Sequence, residues 1–405
     1  MKALLLSPEP PYPLHGGGAY RTASLLHYLA RIATVDLILI SESGKPALLP
    51  ANLVRNQHVI PLAASSRTAA SRYLRNARRA ILGVPPLIDR LSGLESKILA
   101  TIGTERYDIG IIEHFWCAPY ITQIASACEK TVLDLHNIES ILHQRSASVS
   151  PLVIAAGHRR FAAASGILES ALLPRFSLVL ATSEPDAAAA GALAPAAHVC
   201  VYPNSLPLTD APNLAEQPVV VFSANFEYHP NIDAVQFLLR EIWPEVRRRN
   251  STHQLRLVGR GDACIRHLLP ADPAHEGIQT TGPIPDALDE IAQAAVVVAP
   301  LRSGSGTRLK IIEAWAAARP VVATPLAAEG LDARHGENII LASSPSDFAA
   351  AINALLDQPA ERKRLGSNGR RTFERLYTWN AAWEKLDLDL QLTRTSELTG
   401  YTGMA

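Results

Sequence analysis

The residues best suited to chemistry lie in one run, Gly304-Ser305-Gly306-Thr307-Arg308-Leu309-Lys310, with Glu313 one helical turn further on. A short β-branched stretch (residues 295–300, AVVVAP) precedes the run and reads as a buried parallel strand. After it, apolar Leu309, Ile312, Trp315 and Ala316 recur near helical spacing until Pro320 stops the helix. Strand, glycine loop and helix together make an anion site. The first-turn N–H groups lack intrahelical partners and the helix dipole favours negative charge there. Gly304 and Gly306 allow a ligand close to the backbone. Arg308 and Lys310 bring two cations within reach of a diphosphate, and Glu313 can accept hydrogen bonds from sugar hydroxyls. The same spacing also fits a βα turn whose glycines only set the bend, with solvated charges around it.

A second glycine loop, residues 8–18, ends in Gly16-Gly17-Gly18 before an evident helix. It departs from the dinucleotide fingerprint, because Arg21 occupies the third glycine position. Further along, residues 107–113 (YDIGIIE) form a buried-strand pattern with His114 at its carboxyl end. One strand later, His136 and Asn137 stand at the corresponding place. Ligands bind at those strand ends in open α/β sheets, so two histidines in one layer point toward function. Asp387-Leu388-Asp389 matches a D-x-D metal motif in letters only. It falls in a helix, where residues two apart point to different faces, so no metal site is expected there.

Glu313-Ala314-x-Ala316, Pro320-Val321-Val322 and Glu329-Gly330-Leu331 together resemble the nucleotide-sugar segment of the retaining GT4-type glycosyltransferases of glycosyltransferase group 1, which have a GT-B fold. The resemblance covers the second half of the chain almost completely and is weaker over the first. It implies a sugar transfer from a nucleoside-diphosphate sugar to a glycan, lipid-linked or small-molecule acceptor, with retention and without a metal cofactor. Lys310 and Glu313 would act at the donor and His114 near the transferred sugar, with His136 and Asn137 lining the acceptor side. Gly304, Ser305, Gly306, Thr307, Arg308 and Leu309 would hold the diphosphate, Gly17 and Gly18 would close over it, and Gly259 and Ile284 would hold base and ribose. Two departures stand out. Ser305 replaces the first glutamate of the family's pair. Ser223-Ala224-Asn225 and His229-Pro230-Asn231 stand where many members carry an arginine and a lysine, so Arg308 and Lys310 are expected to supply that charge. A GT-B nucleotide-sugar epimerase and an inactive binding subunit are the rival readings.

These residues need elements to position them, and the chain supplies strands alternating with helices twice over. The expected class is α/β, with two Rossmann-like doubly wound parallel-sheet domains facing a cleft. Residues 1–205 form the acceptor-side domain, 206–217 a proline-rich linker and 218–378 the nucleotide-sugar domain. Residues 379–395 form a helix crossing back to the first domain, and 396–405 a tail. Hydrophobic residues make up 48% of the 405 and charged residues 19%, a globular balance with ample material for two cores. Lys plus Arg equals Asp plus Glu at 38 each, a balance that does not suggest a nucleic-acid partner. Four scattered cysteines lack metal-binding spacing, so a reduced, cytoplasmic protein is expected. Residues 1–6 are too short an apolar run for a signal peptide. The stretch from Arg67 to Arg90 carries six arginines and no lysine. It reads as a solvated helical face or, with Tyr73, Leu74 and Ile81 as its apolar side, as a contact with the membrane's inner face.

Overall fold

Short runs such as Ala3-Leu4-Leu5-Leu6 and Val219-Val220-Val221-Phe222 are apolar on both faces, as strands sandwiched between helices must be. The computed structural model describes the chain except residues 15, 64–68, 149, 250, 285–286, 305–308 and 391–405, and except the side chains of 69, 70, 72 and 73. Strands β1 (Lys2–Ser7), β2 (Thr34–Ser41), β3 (Asn56–Pro61), β4 (Tyr107–Glu113), β5 (Cys128–Asp134), β6 (Leu178–Ala181) and β7 (Val199–Val201) form the first sheet. Its order is β3-β2-β1-β4-β5-β6-β7. Strands β8 (Gln217–Ser223), β9 (Gln254–Val258), β10 (Ile278–Thr280), β11 (Ala294–Ala299), β12 (Val321–Ala323) and β13 (Ile340–Leu341) form the second, ordered β10-β9-β8-β11-β12-β13. The strands pair in parallel throughout. Strand order reverses between β1 and β4 in one sheet and between β8 and β11 in the other. Crevices for ligands open at the carboxyl ends of strands at such points.

Each sheet has its own core, and the two lobes are tied by the linker and the last helix. The backbone of Leu206 bonds on both sides of Thr378, accepting from Trp379 N–H and donating to the Tyr377 carbonyl, each at 2.9 Å. Helix Trp379–Asp389 then lies on the first lobe. Its Trp383 Nε1 donates to the Ser24 carbonyl at 3.1 Å and its Asp387 accepts from the Tyr28 hydroxyl at 2.7 Å.

Some elements differ from the sequence reading. The alanine-rich stretch after β6 is helical over Glu184–Leu193 and runs through Gly191 without a break. Ser183 caps it by accepting from Asp186 N–H, and an internal glycine costs only about 1 kcal/mol. Ala194, constrained by the proline after it, ends the helix. The helix after β8 starts at His229, with Pro230 in its first turn, where a missing N–H costs nothing. Strand β3 was not legible, because its polar Asn56-Gln57-His58 carries no apolar run. The end of the last helix and the tail, from residue 391, lie outside the described residues. Among the described residues no helix is long and apolar enough to cross a membrane.

Candidate active site

In the first lobe, the switch point is floored by buried charge. Glu113 ends β4 and Asp134 ends β5, neither exposed to solvent. Arg21, 1% exposed, comes from the first turns of helix Gly17–Ile32 and grips Asp134. Its Nε lies 2.7 Å and 3.0 Å from the two carboxylate oxygens. The guanidinium also donates to the Tyr202 carbonyl (2.6 Å) and to Asn204 Oδ1 (3.1 Å), just ahead of the linker. His136 Nε2 sits 2.7 Å from Glu113 and 3.2 Å from Asp134. Burial, reinforced by Asp134, holds the Glu113 carboxyl well above its ordinary pKa, so it keeps its proton. Burial also pushes Asp134 up, but Arg21 and His136 outweigh it and hold the carboxylate below its usual range. One guanidinium and one carboxylate therefore balance.

Above this floor the rings stack. His114 lies between His136, with centroids 3.5 Å apart, and Trp116 at 4.2 Å. Its backbone φ of 63° is unusual for a bulky residue and marks a strained turn directly after β4. Burial first, then His136, lowers the His114 pKa, so the ring is neutral. Glu113 Oε1 and His114 Nε2 are buried and make no hydrogen bond; Glu9 approaches His114 Nε2 only to 3.7 Å. Gly18 leans over the same group, and a Cβ there would stand 2.9 Å from Glu9 and 3.7 Å from His136 Nδ1. Gly17, beside it, opens the helix, and a Cβ there would meet nothing within 4 Å. Glu113, Asp134 and His136 offer atoms within 4.8 Å of one another that could ligate a metal. Both Asp134 oxygens, however, already accept from Arg21, and that guanidinium already supplies the positive charge there.

In the second lobe, helix Leu309–Ala316 starts at the other switch point. Ile311, Ile312 and Trp315 are fully buried, and Gly369 of helix Pro359–Leu376 leaves the space Trp315 fills, since a Cβ would fall 2.3 Å from the indole. That anchoring leaves Lys310 and Glu313 half-buried on the other side of the helix. Lys310 Nζ donates to Asn231 Oδ1 at 2.9 Å and lies 4.8 Å above the Phe222 ring, while Asn231 Nδ2 donates to the Asn225 carbonyl at 2.8 Å. The residues standing in place of the expected arginine and lysine thus hold the lysine of the glycine loop. Ser305, Gly306, Thr307 and Arg308 lie outside the described residues, whereas Gly304 is buried with a φ of 110°. Gly259 adopts a φ of 133° and its Cβ would strike the Ala224 carbonyl at 2.0 Å, so glycine is required there by packing alone. Ile284 packs half-buried against the second core. Asn137 is half-buried beside His136. Sequence reasoning brought His114 and His136 together correctly and missed Arg21, Asp134 and Glu9 as their partners.

With this geometry in place, comparison with known proteins is informative. Residues 217–358 match the family model for Glycosyl transferases group 1. Curated proteins give no match. Among solved structures, a sucrose-phosphate synthase from Thermosynechococcus elongatus superposes with a TM-score of 0.73 at 18% identity, over 96% of this chain and 98% of that one. Anabaena HepE in complex with UDP gives 0.65 at 17% identity, over 96% and 100%. An E. coli trehalose-6-phosphate structure bound with UDP-2-fluoro glucose gives 0.63 at 15%, over 97% and 99%. The fold is therefore GT-B, and the match to the Glycosyl transferases group 1 model lies in the C-terminal lobe.

Proposed function

We propose that the protein is a GT4-type glycosyltransferase that moves a sugar from a nucleoside-diphosphate sugar to an acceptor hydroxyl, with retention of configuration. The observation that carries this reading is Lys310, set by Asn231 at the switch point of the lobe that matches the glycosyltransferase model. Its ammonium and the amides from Gly304 to Leu309 would balance the diphosphate as it leaves, without a metal. Arg308 would add a second cation. Glu313 would fix the ribose, Gly259 and Ile284 would border the base, and Gly17 and Gly18 would approach from the first lobe. His114, His136 and Asn137 would face the sugar and acceptor, where the buried Glu113 and His114 atoms without hydrogen bonds can receive hydroxyls. UDP or a UDP-sugar in the neighbouring structures supports a uridine donor.

Thermal-shift screening against UDP-, GDP- and dTDP-sugars identifies the donor, since a ligand that binds only the native state raises the melting point. Turnover is then measured by mass spectrometry with and without acceptors. Lys310→Ala and Glu313→Ala are expected to lower it by about 10²-fold, the usual cost of one transition-state contact. Unchanged turnover in both would end this assignment. Conversion of the donor without acceptor identifies an epimerase, and binding without turnover an inactive subunit.

The same reading sets the enzyme in the cytoplasm against the inner face of a membrane. Residues 65–88 carry Arg67, Arg72, Arg75, Arg78 and Arg79 with no Asp or Glu. Helix Ala69–Leu82 exposes Leu74, Ile81 and Leu82, while Arg79 and Arg90 turn to Asp89 and Glu42. Vesicles containing anionic lipid should sediment the protein and neutral vesicles should not. Arg75→Glu with Arg78→Glu should abolish the binding, each arginine contributing about 1 kcal/mol.

A further inference from the structure

The Glu329-Gly330-Leu331 motif is absorbed neither by the donor site nor by the acceptor site, yet it touches the opposite lobe twice. It ends a rigid turn after β12. Thr324 Oγ1 accepts from Ala327 N–H at 3.0 Å, and Ala327 and Ala328 are buried. Arg145, on helix Glu139–Ser148 of the first lobe, meets Glu329 as a fork, with contacts of 2.6 Å and 2.9 Å to its two oxygens. The same guanidinium donates to the Gly304 carbonyl at 3.2 Å. Gly330, with φ 78°, presses against Ser183 at the end of β6, where a Cβ would lie 2.6 Å from the Ser183 Cβ. Two elements of one lobe therefore receive one turn of the other.

We infer that Glu329-Gly330 is an interlobe clasp and that Arg145 is a positioning residue, setting the spacing between the histidine floor of the first lobe and Lys310 of the second. The clasp acts through geometry more than through energy. Both side chains are about a third exposed, at 30% and 37%, and such pairs contribute only about 0–1 kcal/mol to stability. A planar fork on a carboxylate nevertheless fixes orientation in a way a single contact does not. The contact lies at the carboxyl ends of β6 and β12, the same end as both switch points, and includes Gly304 at the mouth of the glycine loop. An interface held by so few groups otherwise leaves lobes free to move.

The scattering arm of the test is independent of the proposed reaction, and the turnover arm rests on it. Arg145→Ala and Glu329→Ala should each raise the radius of gyration in solution scattering by roughly 1 Å, as expected of a loosened interdomain contact. Each should lower UDP-glucose hydrolysis about tenfold while UDP affinity stays within about twofold, because the chemistry needs both lobes and UDP needs mainly one. The double alanine variant should be no worse than Arg145→Ala alone, since that change already removes the whole fork along with the Gly304 contact. Reversing the pair, Arg145→Glu with Glu329→Arg, should recover at least half of both losses, and the melting points should not move. Unchanged scattering in both alanine variants, an additive double variant, or a reversed pair no better than the singles would overturn the clasp. Wider scattering with unchanged hydrolysis would sink the positioning role. A parent that neither binds UDP nor hydrolyses UDP-glucose refutes the uridine-donor reading instead, and the scattering arm still decides the clasp.

Discussion

The two lobes share a topology and a switch point, yet they furnish it with opposite chemistry. The first fills the crevice with buried ionisable groups: Arg21 on Asp134, a protonated Glu113, and stacked His136 and His114. The second offers a glycine loop, a helix start and one lysine held by a neutral asparagine above an aromatic ring. A floor of the first kind must be assembled correctly before the lobe is stable, because burying an unpaired charge is expensive. A site of the second kind costs little to build and acts when an anion arrives. The comparison teaches that stability and turnover should separate by lobe.

The largest effect expected is therefore on folding. Arg21→Met leaves Asp134 buried without its cation and should cost about 3–5 kcal/mol in chemical denaturation. The matched change in the second lobe, Arg302→Met, breaks a pair with Asp233 in which the arginine is 39% exposed, and should cost less than about 1 kcal/mol. Similar losses at both sites would erase the contrast between the lobes.

Next comes a pH effect confined to the first lobe. Glu139 accepts from Trp116 Nε1 at 2.9 Å, and burial, with Glu169 adding, pushes its pKa up to about 7. Between about pH 4.5 and 7 the unfolded chain has lost this proton and the folded one has kept it. The folded state binds more protons there, so its stability falls as pH rises through that window. Glu139→Gln removes the titration and keeps the acceptor for Trp116. Its stability relative to the parent should climb from pH 4.5 to 7 and then level off, by on the order of 3 kcal/mol. A difference that stays flat with pH would show that Glu139 is ionised in the fold.

How much of this was legible in the sequence follows the same division. Parallel sheets, the linker and both glycine loops announce themselves through local runs, so the fold class was readable and the second lobe's candidate residues fell in one run. The first lobe's floor was not, because its pairs join distant residues: Arg21 lies 113 positions from Asp134 and 183 from Asn204. Arg21 reads in sequence only as the residue that spoils a glycine fingerprint. One signal was available. Asp134 interrupts Val132-Leu133-Asp134-Leu135, a buried-strand pattern, and a carboxylate there demands a cation from elsewhere in the chain. Asn231 stood out only as a departure from the resemblance, since nothing local says that an asparagine will reach a lysine 79 residues on.

That asparagine gives the smallest and sharpest test of the contrast. If the second lobe's site is a preset lysine, Asn231→Ala should leave the melting point nearly unchanged and weaken UDP binding about three- to tenfold in calorimetry, the worth of one ordinary hydrogen bond of about 1 kcal/mol. Asn231→Asp should weaken it further, because a carboxylate 2.9 Å from the ammonium would compete with the diphosphate for the same charge. The order parent, Ala, Asp is what separates an electrostatic role from a packing one. Packing predicts that Asp, nearly the shape of Asn, binds UDP better than Ala does. If Asp proves the milder change, Lys310 is held as part of the core, and the second lobe grips its anion without that ammonium.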